Sequence, residues 1–330
     1  MALPFMRAMR AAIRIRRMMR GPMRPSWDEK LETWARFLHH YGKRSTVLPL
    51  SFQRKMVGVA PSTALTRGMR YEKVSAGGVP AEWFRAPEAD DARVLLYLHG
   101  GGYSIGSIDS HRELVSRICI ASGMRGLVVD YRLAPEHRFP AQLEDALAAY
   151  RFVLKDVPAS RIVIAGESAG GGLTFSTLLS LRDARQPMPA AAVAISPWVD
   201  LEATGESMTT NARYDYVSRP VLRVYAKRFV RDHELRHPLA APIHADLRGL
   251  PPLLVQAGGA ETLLDDARRI ATRARAAGVD VTLEVDDDMI HVWHMFAPFE
   301  PRGQSAIERI GAFAKTHVAR RAREDAARVN

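Results

Sequence analysis

A serine set among glycines, Gly166-Glu167-Ser168-Ala169-Gly170, follows the apolar run "RIVIAG" and precedes the apolar stretch "GGLTFSTLL". On a strand-to-helix corner, Gly-x-Ser-x-Gly can present a hydroxyl as a nucleophile. The turn strains the serine backbone and pushes Oγ out of the sheet, where side chains at 166 and 170 would strike neighbouring backbone. The following helix points free N–H groups and its positive dipole end at any oxyanion that forms. By chance about one chain of this length in ten carries the pentapeptide, so context must decide.

The context is a second glycine cluster. His99-Gly100-Gly101-Gly102-Tyr103 closes another apolar run, "RVLLYLH". Three glycines after a buried strand would weaken a fold unless the backbone itself is needed there. Such a loop supplies N–H donors to an oxyanion. Gly101, Gly102 and Ala169 are the candidate donors, each worth roughly 3 kcal/mol of transition-state stabilisation. The single cysteine, Cys119 in "SRICIASG", has no glycine corner and reads as buried packing. One cysteine also rules out an internal disulfide and fits a reducing, cytoplasmic setting.

The elements that must hold these residues are legible as an alternation. "RVLLYLH" (93–99), "GLVVD" (126–130), "RIVIAG", "AAVAIS" and "PLLVQAG" are short apolar runs, as strands buried on both faces require. Leu143, Leu147, Tyr150 and Leu154 keep helical spacing between them, as do Leu263, Ala267, Ile270 and Ala274 before Gly278. This predicts an α/β fold, a mainly parallel sheet with helices on both faces. Residues 1–65 read as helices without a strand partner, and 201–240 interrupt the alternation. Both are expected to form a helical cap over the carboxyl ends of the strands, with residues 66–330 as the catalytic domain.

The 330 residues carry 47 basic against 36 acidic side chains, a net charge of +11. Seven arginines lie within residues 1–24, ahead of the first acid, Asp28; without them the chain holds 40 bases against 36 acids. The body is mildly basic and lacks an aromatic-interleaved basic stripe, so nucleic acid is not an expected partner. Arg7, Arg10, Arg14 and Arg17 share one face of the N-terminal helix, and Met6, Met9 and Ile13 another. It reads as a mobile cap helix over a pocket, with contact to a membrane surface as the alternative. There is no signal-peptide core, metal-ligand spacing or phosphate-binding loop, so no cofactor or metal is expected.

At this point the chain resembles the hormone-sensitive-lipase-like carboxylesterases, bacterial esterase family IV of the α/β-hydrolase fold. The resemblance spans about residues 70–316 and rests on "HGGGY", "DYRLAPEHRFPAQLEDA", "GESAG", "SPWVDL", "HPLAAPIHADLRGLPPLLVQAG" and "MIHVWH" in order. It implies an eight-stranded sheet, a cap built from the N-terminus and a mid-chain insertion, and cofactor-free hydrolysis of small acyl esters.

The remaining chemistry comes with it. In this fold the nucleophile, acid and base follow in the order Ser, Asp/Glu, His. His291 matches the family's histidine, with His294 as the nearby alternative. The acid position departs from the family's usual aspartate: "GGAETLLDDA" puts Glu261 there. Its extra methylene moves the carboxylate outward by roughly 1.5 Å, so the loop is expected to retreat at Gly258-Gly259. Asp265, Asp266 and Asp286 to Asp288 are rival acids. Asp130, Arg132, Glu136, His137 and Glu167 read as a buried polar network that braces the oxyanion loop and the elbow. Tyr103 and Trp198 are candidate pocket walls.

The expected activity is a serine carboxylesterase acting on short- to medium-chain acyl esters through Ser168, His291 and Glu261. The alternatives are a lactone hydrolase with the same triad, a membrane-associated lipase, and a ligand-binding protein without catalysis. Relatives often pair through the sheet edge, so either a homodimer or a monomer is expected.

Overall fold

The computed structural model describes residues 2–58 and 63–329; the side chains of Met6 and Arg7 lie outside the described residues. Eight strands form one sheet: β1 (Arg70–Ala76), β2 (Val79–Arg85), β3 (Asp90–Leu98), β4 (Met124–Val129), β5 (Ile162–Glu167), β6 (Ala191–Ile195), β7 (Leu253–Gly258) and β8 (Val281–Asp286). Among the described residues ten α-helices surround it: α1 (Ala2–Arg20), α2 (Glu29–Ser45), α3 (Leu50–Val57), α4 (Ile108–Ser122), α5 (Ala141–Val153), α6 (Ala169–Asp183), α7 (Ser207–Thr210), α8 (Arg219–Phe229), α9 (Leu264–Ala276) and α10 (Pro301–Val329). The strand order is β1-β2-β4-β3-β5-β6-β7-β8. Pairing is antiparallel from β1 through β2 to β4 and parallel from β4 to β8.

The apolar runs are explained by burial on both faces. In β3, Leu95 and Tyr97 pack in the layer that holds Val115 and Ile118 of α4 and Ile307 and Ile310 of α10. Leu96 and Leu98 pack in the opposite layer with Leu143 of α5, Leu173 of α6 and Ile270 of α9. Successive strand residues point to opposite faces, so a strand covered twice must be apolar at every position. Each fully buried leucine or isoleucine contributes roughly 2 kcal/mol by leaving water. Cys119 is fully buried in the first of these layers, and burial pushes its thiol up to about 12.

Several of the N-terminal arginines are paired with acids of the following segments. Arg14 on α1 binds Glu29, and Arg16 and Arg17 both reach the fully buried Glu32 of α2 at 2.8 Å. Arg24 binds Asp288, 2.5 Å away. The basic excess is thus largely spent in ion pairs that fasten α1 to α2 and the following turn to the loop after β8. No helix among the described residues is long and apolar enough to cross a membrane.

Candidate active site

Ser168 sits where β5 hands over to α6, with φ 55° and ψ −120°. A non-glycine residue at positive φ costs about 1–3 kcal/mol and persists only where its surroundings enforce it. Here they do: Ser168 N–H donates to the Ile195 carbonyl at 2.9 Å, and its own carbonyl accepts from Gly172 and Trp198. A Cβ on Gly170 would run into the carbonyl oxygens of Leu98 and His99, so strand β3 closes the corner from the side. Gly101 and Gly102 both have positive φ, 111° and 58°. The Gly101 carbonyl accepts from Ser104 and Ile105, while the N–H groups of Gly101 and Gly102 have no acceptor among the described residues. Ala169 is the first residue of α6, where backbone N–H groups lack helical partners.

Behind this corner lies a buried polar network. Glu167 accepts from the Gly100 amide and, at 2.8 Å, from the Tyr97 hydroxyl. His111 Nε2 approaches the same carboxylate at 2.8 Å. Burial opposes both charges, yet their attraction dominates: His111 is held above its ordinary value and Glu167 below. His99 stacks between Tyr131 at 4.3 Å and His111 at 5.3 Å, and burial with His111 beside it pushes His99 down to about 4. The Tyr131 hydroxyl donates to the His99 carbonyl at 2.5 Å.

The expected network is therefore only partly the one found. Glu167 belongs to it, but Asp130, Arg132, Glu136 and His137 are all exposed. The buried members come from sequence neighbours and from afar: Tyr131, Tyr97 and His111. Of the four charged residues, Glu136 acts from outside by pairing with Arg54 of α3 at 2.7 Å. Arg54 also donates to the Ser104 carbonyl at 2.9 Å, which fastens α3 to the end of the glycine loop.

On the other side of Ser168, His291 Nε2 stands 2.9 Å from Oγ. His291 Nδ1 and Glu261 Oε2 are 3.8 Å apart, an ion-pair distance rather than a hydrogen bond. Glu261 Oε2 instead accepts from Ser196 Oγ at 2.6 Å, and that hydroxyl accepts from the Val292 amide at 3.1 Å. Burial raises the Glu261 carboxyl above its ordinary value against the pull of His291. Burial works against protonated His291 too, but the carboxylates of Glu261 and Asp215 raise it overall.

The rival acids are committed elsewhere. Asp265 accepts from the Ser207 amide, and Asp266 from those of Val199 and Asp200. Asp286 binds Arg309, and Asp288 binds Arg24 and the Ser26 amide. Asp287 is placed in no such pairing with His291. His294 Nε2 meets Gln256 at 2.8 Å within the core, where burial pushes it down to about 3. The acid loop, expected to yield at Gly258-Gly259, lies close against the base loop there: a Cβ on Gly258 would strike the Met289 carbonyl.

The sequence reading missed Ser196, Asn211, Asp215 and Tyr216. Ser196 could have been suspected from its place at the carboxyl end of a parallel strand. The other three lie in "NARYDY", where no spacing marks them.

Ser168, His291, Gly101 and Gly102 open onto a cavity of about 590 Å³ whose walls include Trp34 and Leu38 of α2, Met56 and Val57, and Leu222 and Tyr225 of α8. Trp198 lines it. Tyr103 does not: its ring is buried and stacks on Phe229 at 3.7 Å, so it is a core residue. No described residue of α1 lines the cavity. Of the N-terminal helices α2 and α3 wall it, and α1 packs behind α2. Among the described residues, Asp200, Glu202 and His244 form one group with metal-ligand spacing, but Arg269 and Arg236 already pair with its two carboxylates.

Comparison with known proteins matches residues 95–295 to the α/β-hydrolase-fold family. An acetyl-hydrolase of Streptomyces hygroscopicus is 50% identical over 245 residues, covering 74% of this chain and 82% of that one. The carboxylesterase NlhH of Mycobacterium tuberculosis is 33% identical over 67% of this chain and 72% of its own. Among solved structures, an esterase from the bacterial hormone-sensitive lipase family is 48% identical, with a TM-score of 0.81 over 86% of this chain and 98% of that chain. EstE5, from a crystal soaked with p-nitrophenyl butyrate, is 41% identical, with a TM-score of 0.84 over 89% of this chain and all of the other (100%).

Proposed function

The chain belongs to the hormone-sensitive-lipase-like family of α/β hydrolases and is a carboxylic ester hydrolase; from that premise we propose a serine mechanism acting on short- to medium-chain acyl esters. One observation carries the proposal: Ser168 Oγ lies 2.9 Å from His291 Nε2 beside two glycine amides without acceptors among the described residues, at the wall of an apolar cavity. Ser168 Oγ attacks the ester carbonyl carbon while its proton passes to His291 Nε2. The carbonyl oxygen, now negative, receives N–H groups from Gly101, Gly102 and Ala169. The C–O bond breaks, and His291 returns the proton to the departing alkoxide. Water then repeats the sequence on the acyl-enzyme and releases the acid.

Glu261 is the partner of His291 Nδ1 in this scheme. Its Oε1 and His291 Nδ1 are both buried without a hydrogen-bond partner among the described residues, and Glu261 is the carboxylate that stands opposite that nitrogen. Such contacts often stand long in the free enzyme and shorten when substrate binds. A short or medium acyl chain is supported by the cavity's volume of about 590 Å³ and by relatives named acetyl-hydrolase. Hydrolysis of p-nitrophenyl esters from acetate to palmitate, wild type beside Ser168→Ala, tests the reading. A serine-dependent maximum at or below medium chains is expected; a maximum at palmitate would overturn the chain length, and turnover that survives Ser168→Ala the mechanism.

A further inference from the structure

The acid and the base lie on separate loops, after β7 and after β8, and a short segment of the cap insertion grips both. Asn211 Nδ2 donates to the Glu261 carbonyl at 2.8 Å and to the Gly259 carbonyl at 3.2 Å. Asp215 is 1% exposed, and its carboxylate takes four donors. Oδ2 accepts from the amide and the hydroxyl of Thr262, the residue after Glu261, at 2.8 and 3.0 Å. Oδ1 accepts from the amide of His291 itself at 3.2 Å and from that of Tyr216 at 2.9 Å. The Tyr216 hydroxyl completes the grip by donating to the His291 carbonyl at 3.0 Å. His291 is thus held at both its N–H and its C=O by two consecutive residues.

We propose that Asp215 is a positioning residue for the acid–base pair, its carboxylate tying the Glu261 loop to the His291 backbone and so setting the gap between Glu261 and the imidazole. This rests on the serine-esterase reading above. A carboxylate has about four lone-pair sites, and here all four are used. No neutral side chain of the same size can accept four hydrogen bonds, since an amide replaces one oxygen by a donor. Replacing Asp215 by Asn would set an NH₂ group against amide donors, and the two loops would part on one side. The gap to be controlled is 3.8 Å, where an error of about 1 Å can cost on the order of a hundredfold in rate.

The carboxylate also acts at a distance. The titratable groups facing His291 are Glu261, Asp215 and Glu167, which raise its proton affinity, with Tyr216 against its ring and His294 three residues on. His39 of α2 touches the Asp215 carbonyl through Nδ1 at 2.6 Å. Loss of the Asp215 charge removes one of the three carboxylates and moves the His291 titration to lower pH. A residue that only stabilises the fold would not do this.

The test is Asp215→Asn in the full chain, assayed with p-nitrophenyl butyrate from pH 5 to 9, with thermal unfolding measured in parallel. The expected result is a kcat reduced about 10- to 100-fold, KM within about threefold, and an acid limb displaced to lower pH. A wild-type kcat and acid limb would overturn the proposal, as would a loss confined to thermal stability. Thr262→Val removes one donor from the same carboxylate and leaves its charge. It is expected to lower kcat several-fold without moving the acid limb, and it decides the matter should Asp215→Asn not fold; an unaltered kcat then overturns the proposal. Ser168→Ala, run alongside, separates the two failures. Turnover that survives it overturns the serine reading and this role together. An inactive Ser168→Ala beside a wild-type Asp215→Asn overturns the role of Asp215 alone.

Discussion

The two halves of the site are built differently. The nucleophile half, residues 97–103 and 166–172, consists of two adjacent parallel strands and the turns that leave them. Its positions are enforced by backbone: Leu98 and His99 carbonyls crowd Gly170, and Ile195 and Trp198 hold the Ser168 peptide. The acid–base half consists of two loops joined by side chains from a third segment, Asn211, Asp215 and Tyr216, together with Ser196. Two central strands position what leaves them to within the precision of their ladder. Loops need a buried polar clasp, and a clasp can be loosened by one substitution. The first half should therefore fail by losing its chemistry, and the second by losing its geometry.

Substitutions can break that contrast, beginning with the largest effect. Ser168→Ala should lower kcat by at least about 10⁴-fold with an unchanged melting temperature, because the nucleophile is removed and the backbone holding it is not. Active-site titration with a fluorophosphonate, paired with calorimetry, checks both parts. Glu261→Gln should follow, with a loss of about 10³- to 10⁴-fold, since an amide cannot hold the imidazole tautomer as a carboxylate does. Near-normal turnover would overturn Glu261 as the partner of the imidazole. Gly101→Ala should cost about 10²- to 10³-fold in kcat. Its Cβ would strike the Ile105 carbonyl at a φ that alanine avoids, so the amide donor shifts and the melting temperature falls too.

Two pH measurements sharpen the comparison. Activity needs neutral His291, whose proton affinity is raised in the fold, so the acid limb of kcat/KM should lie above the ordinary imidazole value of about 6.5. A midpoint below that value would show that the carboxylates do not govern the ring. The nucleophile half has its own titrating pair. His111 is raised and Glu167 lowered. The His111 contribution to stability is complete below the unfolded value of about 6.5 and lost as pH rises through its folded value. That of Glu167 is complete above about 4.5 and lost as pH falls through its folded value. The stability difference between wild type and His111→Gln should thus be greatest between about pH 4.5 and 6.5 and shrink above. Chemical denaturation at pH 5.5 and 9 reads it, and a difference independent of pH would mean the pair is not ionised. The smallest effect should come from Tyr103→Phe, less than about twofold on turnover. A larger loss would return this stacked core ring to the pocket wall.

The amino-acid sequence by itself determined the nucleophile half and the class of fold. Apolar runs at every position demand strands covered on both faces, and glycine is needed only where backbone meets backbone, so both signals are local. His291 and Glu261 came through resemblance, and their order along the chain could be read. Tertiary structure alone decided what joins them. It placed Asp215 between two loops 47 and 76 residues away in sequence, which no spacing announces. It showed Asp130, Arg132, Glu136 and His137 outside the buried network, because charge density in a segment says nothing of which side chains face inward. It paired several of the N-terminal arginines with Glu29, Glu32 and Asp288, leaving the pocket to α2 and α3. Hydrophobic periodicity reports which face of an element is buried. Which polar groups meet there is a property of long-range contacts, and those exist only once the chain has folded.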